Sequence, residues 1–373
     1  MSNETDDRPV VDTRDAVLER SRQRYGLAGT IVRGVDLTGA ELPFVSFMDA
    51  KLESVVLRGA KLAGARFDRA HLSGCLFTDA DLRGSNWFMA RPSGCVLTKA
   101  RLSDAEIGVA TFDGCELIAV DAVGADLGES SFLRCQMPLI NLGRAEMTST
   151  AFEDCVLDNA LLDEATLSNG YVRGGSARGA RLLAVTAIEA ILEDVDLDGT
   201  DLRQADFTGS TFRRVRLKGG DLTDAILESC TLSGCDFSGS RLTRVQLAGA
   251  LAEARDDDSV ALRLVGANLH EANLEGVDLP RLVLRDCNLS LMMASGAKID
   301  GADLSRAQMV NCQLTDASLR GARFDGSLLD GVALDGADCT AASFAETTLV
   351  NMDLFETTLD DADMTTARVL EEP

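Results

Sequence analysis

A five-residue period constrains this chain more than any other feature. From Val35 the sequence reads VDLTG, AELPF, VSFMD, AKLES, VVLRG, and the phase holds without a slip for 44 blocks, to Ala254. After seven residues out of phase, Arg255 to Ala261 (RDDDSVA), a second array starts at Leu262 and runs for 22 blocks. The third residue of a block, the place of Leu37, Leu42 and Phe47, is Leu, Ile, Val, Met, Phe or Trp in 59 of 66 blocks, and the first is Ala, Ser, Thr, Cys, Gly or Val in 61. Two apolar positions separated by one polar position follow the alternation of a strand, where residues i and i+2 share a side; a helix needs i, i+3 and i+4. Two side chains per block therefore point inward and three outward.

Repetition on this scale overrides the two or three domains that 373 residues would otherwise suggest. Aromatic residues are only 5% of the chain, so the core is built from Leu, Ala, Val and Cys. The cysteines report the length of a full turn. Cys75, Cys95, Cys115, Cys135 and Cys155 lie 20 apart and Cys235 is 80 further on, so four blocks make one coil and these sulfurs stack at one corner. Phe112, Phe132 and Phe152 repeat with the same spacing. Nine of the ten cysteines occupy the small first position, with Cys339 at a central one, and no Cys-x-x-Cys pair occurs; packing accounts for them better than a redox or metal role.

Blocks such as Ala80-Asp81-Leu82, Ala125-Asp126-Leu127, Ala267-Asn268-Leu269 and Ala302-Asp303-Leu304 match Ala-(Asp/Asn)-Leu-x-x, and over roughly residues 27 to 371 the chain resembles the pentapeptide-repeat family. The resemblance implies an all-β fold, a right-handed quadrilateral parallel β-helix. The expected division is a polar N-terminus with a capping helix (1–26), a first array (27–254), an acidic interruption loop (255–261) and a second array continuing the rod (262–373). At about 4.8 Å per coil the rod would be ~80 Å long. Asp12 to Tyr25 reads as the capping helix, with Gly26 as its stop, and the C-terminal end is expected to be open, frayed or covered by another chain. Pro92 at a central position and the glycines 170, 174 and 175 suggest a local bulge or kink; Trp87 is inward by phase. The interruption either leaves the coil entirely, which aligns the Phe47 stack with Leu274, Leu314, Leu334 and Leu354, or gives five residues to it, which misaligns them.

Net charge is −24, which disfavours nucleic acid and anionic membrane and favours a protein partner with a basic surface. The N-terminus lacks a signal-like apolar stretch and nowhere do 18 apolar residues run together, so a cytoplasmic protein is expected. The family's DNA-mimicking members bind type II topoisomerases, and resemblance to them implies DNA gyrase or topoisomerase IV as partner, inhibited or protected in the manner of an antibiotic-resistance protein. Those members are about half as long and dimerise through a C-terminal helix that this sequence lacks, so monomer and dimer both stay open.

Charge density tests the analogy. Duplex DNA of the rod's expected length carries about 47 charges, twice the net charge here. The charge is uneven, however: residues 335–373 hold a net −9, and in the first array the stack of Phe47, Phe67 and Phe207 totals −7 against −1, −1 and −2 for the others. Candidate contact residues are Asp256, Asp257 and Asp258 in the interruption and Asp353, Glu356, Asp360, Asp361 and Asp363 near the C-terminus. A basic girdle, Arg203, Arg213, Arg214, Arg216 and Lys218, supports an alternative reading as a scaffold, adaptor or effector module that holds other proteins. No catalytic, cofactor or metal site is expected. The two histidines, His71 and His270, stand about ten coils apart, Asp256 to Asp258 lack the spacing of a calcium loop, and flat walls offer no desolvated pocket.

Overall fold

The wall of each coil is a direct consequence of the block. The backbone N–H of a central residue donates to a carbonyl on the next coil, as Leu37 does to Val56 at 2.7 Å, and Val56 donates back to Val35 at 2.9 Å. These two bonds set Asp36 opposite Val56 and fix the turn at 20 residues. The fifth residue rounds the corner with left-handed backbone, at φ 60° for Gly59 and 58° for Asp79, which is why Gly is the commonest residue at that position. First and central residues then face inward, and Ala60, Leu62, Ala65 and Phe67 are fully buried.

The computed structural model describes residues 7–252, 260–352, 354 and 356–370. They fall into two compact units, Met1–Arg181 and Leu182–Pro373, each a four-sided parallel β-solenoid. Among the described residues no helix is long and apolar enough to cross a membrane.

The first unit opens with β1 (Val10–Val11), which pairs in parallel with β2 (Ile31–Arg33), and between them lies α1 (Arg14–Ser21). The helix is shorter than the Asp12 to Tyr25 expected. Its N-cap is Thr13, whose hydroxyl accepts from the Ala16 N–H, and Val17 is its one buried side chain, so the charged stretch beyond Ser21 has no apolar side to pack. Arg14 covers the exposed edge of the first coil by donating to the carbonyls of Asp36 and Thr38 at 2.8 and 3.3 Å. Thereafter each coil carries one three-residue strand, down to Tyr171–Arg173. The bulge expected at Pro92 does not form: Leu72 pairs with Pro92 in register, and the missing N–H removes only the upper part of the pairing to the next strand, where Ser93 still meets Asp113. At Gly174 and Gly175 two successive left-handed residues draw the chain inward, so close that a side chain at Gly175 would overlap the Cys155 carbonyl.

In the second unit, strands Ile191–Glu193, Thr211–Arg213, Thr231–Ser233 and Leu251–Ala252 stack on one wall. Across the interruption Arg241 pairs with Asn268, Gln246 with Asn273 and Leu251 with Asp278. The offset is 27 residues where an ordinary coil has 20, so the walls keep their phase across the interruption and the Leu247 wall continues as Leu274. Further on, the three-residue strands reappear on the opposite wall, at Gln308–Val310, Leu328–Asp330, Thr348–Val350 and Arg368–Leu370, where Val369 and Leu370 are exposed.

All ten cysteines are free and buried. Thiols at the first position do what serine and threonine do there: Cys155 donates to the Phe132 carbonyl at 3.3 Å, Ser130 to Ile107 at 2.8 Å and Thr150 to Leu127 at 2.7 Å. Burial pushes the Cys230, Cys287 and Cys312 thiols up to about 12, far from a reactive thiolate. Beside this column Phe112, Phe132 and Phe152 stack with ring centroids 5.0 and 5.2 Å apart. Trp87 is buried against Phe67 at 4.2 Å, its indole N–H satisfied by the Ser85 hydroxyl.

Truncating Phe132 to Ala should cost about 3–5 kcal/mol. Since a coil touches only its neighbours, amide exchange should quicken between Phe112 and Phe152 and stay unchanged around Phe212 and Phe237. Uniform acceleration along the chain would contradict a core built coil by coil.

Candidate partner-binding surface

Three outward positions per block, repeated on every coil, give each wall vertical columns of polar side chains. On most walls acids are answered by cations one coil away. Arg244 grips Asp224 through two bonds of 2.6 and 2.7 Å, Arg306 grips Asp286 with the same two distances, and Arg285 pairs with Asp303. The guanidinium beside each of Asp224 and Asp286 holds its carboxyl below the usual range.

The basic girdle is part of this system. Arg214 bonds Asp194 at 2.6 Å and Glu193 at 2.7 Å, Arg216 bonds Asp198 at 2.8 Å and also Asp196, and Lys218 lies 3.0 Å from Asp236. Arg203 likewise pairs with Asp201 at 2.7 Å, and Arg213 lies on strand Thr211–Arg213 beside them. Acids of the same or a neighbouring coil thus engage Arg203, Arg214, Arg216 and Lys218.

One wall in each unit departs from this pattern. In the first unit it is the Phe47 wall, whose only cations, Arg66 and Arg69, are bound to Asp68 and Asp49 at 2.9 and 2.7 Å. From Ser85 to Asn169 this wall has no Lys or Arg, and Glu106, Asp126, Glu129 and Glu146 are exposed without a cationic partner. In the second unit the wall of Ala187, Phe207, Leu227, Leu247, Leu274, Leu314, Leu334 and Leu354 has no Lys or Arg at all. Its described acids, Glu189, Asp206, Glu228, Glu275, Asp316, Asp335 and Glu356, make no ion pair. Sequence reasoning found the net charge of this stack and missed its lack of cations, which counting Lys and Arg separately from Asp and Glu would have revealed.

Of the candidate contact residues, Asp256, Asp257, Asp258 and Asp353 lie outside the described residues. Glu356 stands on the cation-free wall, whereas Asp360 and Asp361 belong to the next wall and Asp363 to the one after. All four are exposed, and Asp363 is lowered by hydrogen bonds from the Thr365 hydroxyl and N–H. Among the described residues no group of His, Cys, Asp or Glu is arranged to hold a metal ion.

The sequence profile for pentapeptide repeats matches eight copies here, at residues 50–86, 75–108, 190–228, 221–251, 263–291, 294–331 and 334–368, well over half of the chain. Among solved structures, HetL from the cyanobacterium Nostoc sp. strain PCC 7120, a pentapeptide repeat protein involved in heterocyst differentiation regulation, is 27% identical, with 58% of this chain and 89% of HetL covered and a TM-score of 0.35. A trypsin-treated variant of QnrB1, a plasmid-mediated fluoroquinolone resistance protein, is 21% identical over 54% of this chain and 88% of its own, with a TM-score of 0.31. No curated protein matches the sequence significantly.

The lowered aspartates set a pH dependence. A carboxyl whose folded value is depressed contributes stability that is present above its unfolded value and lost as the pH falls through the folded one. The deficit in melting temperature of an Arg244→Gln, Arg306→Gln double variant should therefore be full at neutral pH and shrink below about pH 4. A deficit that persisted to about pH 2 would mean that the arginines act by packing and not by charge.

Proposed function

The chain belongs to the pentapeptide-repeat family, and from that premise we propose that it is a non-enzymatic interaction protein whose cation-free acidic wall occupies a basic protein surface built to hold DNA. The partner class is the saddle of a type II topoisomerase, DNA gyrase or topoisomerase IV, in the cytoplasm. One observation carries the reading: in the second unit seven described carboxylates stand on a single wall that has no Lys or Arg to neutralise them. At about 4.8 Å per coil this is one unpaired charge per roughly 6 Å. A single DNA strand presents one per about 3.4 Å. The wall is thus a half-strength strand, enough to steer a cationic surface and weak enough to be displaced by salt.

An adaptor that binds acidic partners through the Arg213, Arg214, Arg216 and Lys218 girdle has less to offer. Acids already engage Arg214, Arg216 and Lys218, and a partner would first have to break those pairs.

A supercoiling assay with purified gyrase, with and without a quinolone, provides the test. Micromolar protein should inhibit the enzyme or protect it from the drug, and the combined change Glu228→Gln, Glu275→Gln, Asp316→Asn and Asp335→Asn should weaken the effect at least tenfold. If the wild-type protein does neither, the topoisomerase reading fails.

A further inference from the structure

In the first unit the Phe47 wall contains a groove made by missing side chains. Down the column that follows the central residues run Phe88, Gly108, Gly128 and Thr148 on successive coils, so the bare backbone of two coils, about 10 Å, lies between an aromatic ring and a threonine. One flank is acidic, formed by Glu106 and Asp126. The other is the corner column, where Met89 and Val109 give way to Glu129. The hollow measures about 390 Å³.

Its apolar parts are unusually open. Phe88, Met89 and Val109 are 43%, 42% and 38% exposed, and Val109 is a β-branched residue held at φ 60°, a conformation that costs strain. Asp126 accepts from the Gly128 N–H at 2.9 Å and Glu106 accepts from the Asn86 amide, which leaves carboxylate oxygens of both turned to solvent; Glu129 has no partner. An aromatic face at one end, a flat floor and carboxylates along the flanks are what a planar cation on an apolar stem requires.

We propose that this groove is a docking site for an arginine side chain presented by a partner protein, its stem along Gly108 and Gly128 beside Asp126, its guanidinium against Phe88 and bonded by Glu106 on the next coil. Charge complementarity selects a cation, since no Lys or Arg stands on this wall from Ser85 to Asn169. Arginine is favoured over lysine because its flat guanidinium stacks on a ring and accepts two-point bonding to carboxylates, where an ammonium offers a point charge. The inference shares with the preceding section only the need for a cationic partner. Loss of the gyrase effect would leave it standing, and its own failure would leave the second unit's column untouched.

The probe is the capped pentapeptide Gly-Gly-Arg-Gly-Gly, titrated into the full chain carrying 15N-glycine. The amides of Gly108 and Gly128 should shift saturably, while those of Gly209 and Gly249 in the second unit stay still. Citrulline in place of arginine should abolish binding, and lysine should weaken it several-fold. Gly108→Leu should weaken it at least tenfold, since a Cβ there meets only the Gly128 carbonyl at 3.6 Å and the coil has room for the change while the groove does not. Glu106→Gln, which alters no packing, should weaken it several-fold as an independent check. Equal binding of the citrulline or lysine peptide, shifts spread over all glycines, or undiminished binding by both variants would overturn the proposal.

Discussion

Every structural feature here depends on one constraint, the in-register ladder that pairs each coil with the next at 20 residues. The Leu37 to Val56 and Val56 to Val35 bonds satisfy the backbone without a helix or a wide sheet, and they do so only if every block returns to the same height. Side chains must follow. A central residue has its own kind above and below, so Phe112, Phe132 and Phe152 stack almost parallel, with planes 15° and 12° apart. An outward residue likewise faces the residue 20 positions away, and this proximity decides whether a column of carboxylates is neutralised or left bare.

The inward half of this arrangement was legible in the sequence because burial repeats with the block, and the cysteines announced the coil. Other features were not, for physical reasons. The helix ends at Ser21 because only Val17 had a surface to pack on, which a pattern of charges cannot reveal. The corner conformation shows as a bias toward Gly, but Val109 and Leu139 adopt it too, at φ 60°, held there by the ladder against their own preference. Pro92 looked disruptive, yet a parallel ladder tolerates the loss of one donor when neighbouring bonds hold the register. The candidate site was half legible: the acidic stack was visible as a sum, while the ion pairs that silence Arg214 and Arg216, and the glycine floor beside Phe88, needed coordinates.

The charge of −24 is therefore a poor guide to what a partner would meet. Acids such as Asp194, Asp224 and Asp286 are held by arginines one coil away and present nearly neutral walls. Surface pairs of this kind contribute little stability individually. Their larger effect is to lower the net charge of the walls they stand on, so that one wall of each unit is the most strongly acidic.

The interruption shows how strictly that wall is kept within the second unit. Had five of its seven residues entered the coil, the Leu247 column would have stepped onto the wall of Leu269, Leu289 and Met309, whose outward positions hold Glu271 and Asp330 and little other charge. With the observed offset of 27, Leu247 meets Leu274, and the wall runs on through Glu275, Asp316, Asp335 and Glu356. Backbone pairing alone would be served equally well by either register, since every wall offers the same ladder. The register adopted keeps the acids of the Leu247 wall in line with Glu275, Asp316, Asp335 and Glu356, where the other would have set them above a wall with fewer carboxylates.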